Sequence, residues 1–161
     1  DVYKRQPSMV CELAVSVNDQ IEKVEEQLLQ LPQVDCPLVH RFAPSVYMRE
    51  VLMPAGCFVI GHEHNTEHFN VVLTGSARVM IDGEIEDIVA PCVFVSKPGV
   101  RKVLYIMEDM KWATIHPTDE TELEILDSTL IKKSNSFVKY SEVKAIQDSF
   151  NLEKGGLVWH G

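Results

Sequence analysis

Between Gly56 and Gly75 the chain reads GCFVIGHEHNTEHFNVVLTG and carries His62, His64 and His68. Side chains two apart on a β-strand share a face, so His62 and His64 are expected to point the same way, roughly 6.6 Å apart along the strand. After the polar turn Asn65-Thr66-Glu67 the chain can return antiparallel and bring His68 onto the neighbouring strand, facing the same interior. Three neutral imidazole nitrogens with an open coordination position suit one divalent transition metal, namely zinc, iron, nickel or copper. The bland alternative is a set of hydrogen-bonded polar residues at the mouth of a barrel.

Other residues are candidates for the same interior. Asn70 lies two positions after His68, so alternation points its amide inward, where it would orient a ligand or make a structural hydrogen bond. Tyr47 and Arg49 flank the first long strand; both alternating registers there contain polar residues, so either side chain could contact a pocket. His40 and His116 stand near Pro44 and Pro117 and read as surface or strand-end residues, unless one supplies a fourth ligand. Glu63 should face outward, and Glu67 belongs to the turn, where it could accept a hydrogen bond from an imidazole. No glycine-rich phosphate loop and no Gly-x-Ser-x-Gly elbow is present, and no nucleotide cofactor is expected. Trp112 and Trp159 read as packing residues. Cys11, Cys36, Cys57 and Cys92 are scattered and read as reduced structural thiols.

The elements that must position these residues are mostly strands. From Leu38 short apolar runs alternate with turn residues, which is an all-β pattern. The expected strands are Val39 to Phe42, Val46 to Met53, Cys57 to His64, His68 to Leu73, Ala77 to Ile81, Glu84 to Ile88, Cys92 to Val95, Val100 to Met107 and Met110 to His116. Thr74-Gly75 and Glu108-Asp109 read as turns, and Asp82-Gly83 as a tight hairpin of the type that needs positive φ. Before the barrel, Asn18 is placed to cap a helix of about thirteen residues with an apolar stripe of Ile21, Val24, Leu28 and Leu31, stopped by Pro32. After it, Ser141 to Phe150 reads as a short helix with Val143, Ile146 and Phe150 on one side. The division is therefore 1–8, an upstream or disordered leader; 9–36, helix and linker; 37–118, the barrel; and 119–161, a C-terminal extension.

At 161 residues and 45% hydrophobic composition the chain has ample material for one core without disulfides. A formal charge of −9, with no cationic cluster, argues against a general affinity for nucleic-acid backbone. No apolar run approaches the roughly 20 residues of a membrane span, so no membrane partner and a cytoplasmic location are expected.

The spacing of Gly56, His62, His64 and Gly75 resembles the first signature motif of the cupin superfamily, with His68 where that family has glutamate. The second motif is matched by Lys97-Pro98-Gly99-Val100-Arg101-Lys102, with Gly99 in place and Lys102 where the family has its fourth metal-binding histidine. A further resemblance, to small cupin proteins of tailed bacteriophages, runs from Leu38 to about Leu130. It rests on phrases such as His40-Arg41-Phe42-Ala43-Pro44, Glu67-His68-Phe69-Asn70 and Trp112-Ala113-Thr114-Ile115-His116-Pro117. The resemblance implies a single jelly-roll barrel that pairs into a homodimer, and a viral origin within a host cell. It also implies an inward Lys102, which leaves Lys97 and Arg101 facing solvent. An ammonium beside the histidines repels a cation, so Lys102 is either neutral or part of an anion site.

Two functions follow as expectations. One is a binding module that holds a small anionic molecule, such as a nucleotide or sugar phosphate, contacted by Tyr47, Arg49, Asn70 and Lys102. The other is a metal-dependent oxygenase, isomerase or lyase working on the ion held by His62, His64 and His68.

Overall fold

The computed structural model describes residues 6–151, with side chains described for 17–150. In chain order the elements are α1 (Gln6–Leu28), β1 (Leu38–Ala43), β2 (Val46–Met53), β3 (Phe58–Ile60), β4 (Glu63–His64), β5 (His68–Ile81), β6 (Glu84–Val89), β7 (Cys92–Ser96), β8 (Lys102–Pro117), α2 (Leu123–Leu130), β9 (Ile131–Lys132) and α3 (Asn135–Asn151).

Two long antiparallel strands, β5 and β8, form a spine that belongs to both halves of a flattened barrel. The first half of β5 pairs with β7 and the end of β8, which pairs in turn with β2 and then β1. The second half of β5 pairs with β6 and the start of β8, which takes β3 on its other side. Apolar side chains from both halves meet between them, including Met53, Val72, Val79, Ile106, Met110 and Trp112, and form the core.

The expected turns at Thr74-Gly75 and Glu108-Asp109 are bends within continuous strands. The register between β5 and β8 shifts between Val72 and Ala77, so the backbones pass through the bend still paired. Thr74 Oγ1 accepts a hydrogen bond from the Lys111 amide at 3.1 Å, and Ser76 Oγ donates to Glu108 at 3.2 Å. Gly75 sits at φ +87°, where a Cβ would strike the carbonyls of Glu108 and Asp109. The Asp82-Gly83 hairpin forms as expected, with φ +51° and +79°.

The helices depart further from the sequence reading. Backbone helix α1 already runs through residues 6–8 of the supposed leader; residues 1–5 lie outside the described residues. Its docking face is Ile21 and Glu25, both buried, whereas Val24 and Leu31 are exposed. The reason is Arg101. Expected to face solvent, Arg101 is buried and meets Glu25 at 2.6 Å, its Nε donates to the Gly61 carbonyl at 3.0 Å, and Ser134 hydrogen-bonds the same carboxylate. One ion pair thus ties α1 to the start of β8 and to the segment leading into His62. The extension contains α2, which buries Leu126 and Leu130 against Tyr47, and α3, which begins earlier than expected and leaves Val143, Ile146 and Phe150 exposed. Trp159 and the rest of the tail lie outside the described residues. Among the described residues no helix is long and apolar enough to cross a membrane.

Candidate metal centre and its cavities

Alternation sets the inward face of the first half of the barrel: His68 and Asn70 on β5, Trp112, Thr114 and His116 on β8, and Tyr47 and Arg49 on β2. The strand expected over Cys57 to His64 breaks at Gly61-His62, and only Glu63 and His64 resume as β4, now pairing with β9. That break parts His62 from His64 and His68, the set expected from spacing. His62 and His64 no longer share a strand face, and the His62 ring packs edge-on against Phe137 at 4.5 Å between centroids.

His64 instead stacks among His68 and His116, with ring centroids 4.3 and 5.4 Å away, and His68 lies 4.9 Å from His116. One ligand-capable atom from each of these three residues lies within 4.8 Å of the others. His68 Nδ1 hydrogen-bonds the Thr66 carbonyl at 2.9 Å, which requires the proton on Nδ1 and leaves the Nε2 lone pair free. His116 Nε2 lies 3.2 Å from Thr114 Oγ1. Among the described residues, buried His64 Nδ1, His68 Nε2 and His116 Nδ1 have no hydrogen-bond partner, and neither has His62 Nδ1, which lies outside the cluster. Buried polar atoms are rarely left so, and the donor chemistry of three clustered imidazoles suits a metal ion.

Burial keeps the imidazoles neutral. The pKa of His64 is pushed from 6.5 to about 2, first by burial and then by its histidine neighbours, Lys102 and Arg49. Burial, with His68 and Arg49, takes His116 to about 4. His68 is also lowered, chiefly by burial, with the Thr66 hydrogen bond opposing. Neutral imidazole is the metal-binding form, so the cluster is in its ligand state at neutral pH.

Each of the remaining candidates has a definite place. Asn70 is fully enclosed: its Nδ2 donates to Ser96 Oγ at 2.8 Å and its Oδ1 accepts from Trp112 Nε1 at 3.0 Å, so its amide braces the barrel wall. Tyr47 lies behind His116 at 6.0 Å between centroids and within 2.6 Å of His40 Nδ1, packed under α2. Lys102 does point inward, buried on the same face as Leu104 and Ile106, and burial lowers its pKa from 10.5 to about 8. Arg49 is half-buried, makes no ion pair with any described residue, and lies close enough to depress His62, His64 and His116. His116, read from the sequence as a strand-end residue, completes the cluster; its position two and four residues after Thr114 and Trp112 on one strand face was the available clue.

Two cavities flank the cluster. One of about 650 Å³ opens between the segment after α1 and the barrel and reaches His62, His64, Thr114 and Arg49. The other, of about 290 Å³, lies under α2 and reaches His40, Tyr47, His116 and again Arg49. Cys36 and Cys57, expected to be scattered, line the larger cavity, and their thiols meet there, which adds to the burial that raises the pKa of Cys36.

No family model and no curated protein matches the sequence. Solved structures similar to it include a cupin superfamily protein from Desulfitobacterium hafniense, at 16% identity and TM-score 0.45 over 58% of this chain and 87% of that one. An RmlC-like cupin family protein with a double-stranded β-helix fold from Methanocaldococcus jannaschii is similar at 11% identity and TM-score 0.43, over 55% and 86%. A cupin domain from Schizosaccharomyces pombe is similar at 19% identity and TM-score 0.44, over 60% and 74%. At these values the functional argument rests on this chain's own residues.

Proposed function

We propose that this chain is a single-barrel cupin, of the kind tailed bacteriophages encode, whose interior holds one divalent transition metal on His64, His68 and His116 together with a small anionic ligand. The observation that carries the metal is the convergence of His64, His68 and His116: one ligand-capable atom of each lies within 4.8 Å of the others, and each ring has a buried nitrogen without a hydrogen-bond partner among the described residues. Neutral donors of this type suit zinc, iron, nickel or copper. When bound, the ion supplies Lewis acidity at its open positions.

The anion follows from charge. A dication on three neutral ligands, with Arg49 and Lys102 close by, leaves a strongly positive, partly desolvated site. A negatively charged ligand at Arg49 relieves it, and the guanidinium fork suits a carboxylate or phosphate. This reading puts binding first, because what the described residues bring together around the cluster is a set of ligand atoms beside Arg49. Metal analysis and melting of protein purified without chelators test it. A bound metal, and a melting temperature that falls on EDTA treatment and returns on adding the ion, are expected; no metal and no EDTA effect would overturn the proposal.

A further inference from the structure

The larger cavity is built for a ligand with two unlike ends. Its inner end presents Arg49, Thr114 and His64, whereas most of its wall is apolar, contributed by Leu38, Val51, Val59 and Trp112 from the barrel and by Leu31 and Phe137 from outside it. At its mouth Leu31, Val34 and Phe58 stand 57%, 54% and 62% exposed, an apolar surface with nothing described lying over it. A volume of about 650 Å³ admits a molecule well beyond a simple inorganic anion.

Such walls discriminate between classes of anion. A sugar phosphate or nucleotide brings many hydroxyls or ring polar atoms around its whole body, whereas the polar lining side chains are few, namely Gln33, Arg49, His62, His64 and Thr114, against an otherwise mostly apolar wall. Each ligand polar group left without a partner loses its hydration with no return. An alkyl body loses nothing of that kind and gains by leaving water. Arg49, without an ion pair among the described residues, provides for one acidic head.

We infer that the cavity binds an amphipathic monocarboxylate, with its carboxylate on Arg49 beside the histidine cluster and its hydrocarbon body along the Leu38, Val51 and Trp112 wall. The inference deepens the proposed function by naming the class of its anion, and the nucleotide or sugar-phosphate expectation gives way to it.

Calorimetric titration at pH 7 tests it, using acetate, butyrate, hexanoate, octanoate and glucose 6-phosphate on EDTA-treated and zinc-loaded protein, with zinc content measured on the same samples. Affinity should tighten by about fourfold for each added methylene until the cavity is filled. Octanoate should outbind glucose 6-phosphate, and Arg49→Gln should weaken octanoate at least tenfold. Arg49→Lys, which keeps the charge and loses the fork, should fall between and serves if the glutamine variant does not fold. A flat series, or glucose 6-phosphate binding as tightly as octanoate, would overturn the inference. Zinc uptake without octanoate binding overturns this inference alone; Arg49-dependent octanoate binding without zinc uptake supports it and overturns zinc as the metal.

Discussion

The rings of His64 and His116 lie 7° from parallel with centroids 5.4 Å apart, although one stands on a two-residue strand and the other near the end of β8. The contact is made by α2 and β9 as much as by the barrel. His64 pairs with Ile131, which follows α2, so the extension beyond the barrel fixes the strand that carries a ligand.

Acid should destabilise the protein as the pH falls below 6.5, through its buried histidines. The pKa values of His62 and His116 are lowered to about 4 and that of His64 to about 2, against 6.5 in an unfolded chain. Between those limits the unfolded chain binds more protons than the folded one, so stability is whole above pH 6.5 and is lost as pH falls toward 4. Denaturant midpoints should drop steadily from pH 7 to pH 5, and His116→Gln should flatten the slope; equal midpoints would contradict the burial of neutral histidines.

Lys102 should cost stability at neutral pH. Its folded pKa of about 8 lies below the usual 10.5, so the charged form is disfavoured by folding until pH rises past that value. Lys102→Met should raise the melting temperature at pH 7, by about 2–4 °C for each kcal/mol of penalty removed. A fall would mean that the ammonium has a partner it needs.

The two framing glycines should differ in what they tolerate. Gly56 has φ +85° with open space around it, so Gly56→Ala should cost about 1–2 kcal/mol. Gly75→Ala adds a collision with two backbone carbonyls and should cost more than about 3 kcal/mol, read as a shifted urea midpoint. Equal costs would argue against the bend between β5 and β8.

Removing one partner of the Glu25–Arg101 pair strands a charge that is only 5% exposed. Glu25→Ala should destabilise by about 3–5 kcal/mol, while Glu25→Leu with Arg101→Met should recover much of the loss. Equilibrium unfolding of the three proteins decides it, and a single variant as stable as the parent would show that the pair does not hold α1.

The barrel was legible because period-2 alternation and turn residues are local signals; Asp82-Gly83 and the strand bearing Tyr47 and Arg49 came out as expected. Three things were not. The strand break at Gly61-His62 depends on Arg101 and Phe137 reaching in from distant parts of the chain, which no local window contains. Glu25 on the docking face of α1 runs against hydrophobic periodicity, because its partner lies across the fold. The continuous bends of β5 and β8 resemble turns in sequence, since glycine and acidic residues serve both. Of the candidate cluster, His64 and His68 were named from spacing, and His116 needed the inward register of β8 to be carried one residue pair further.

Cobalt(II) titration followed by visible absorption, on the parent protein and on His62→Ala and His116→Ala, tests the central claim most directly. His116→Ala should lose more than the roughly 10–100-fold in affinity that loss of a supporting hydrogen bond costs, while His62→Ala stays within about tenfold of the parent. If His62→Ala abolishes binding and His116→Ala retains it, the metal is not held by His64, His68 and His116.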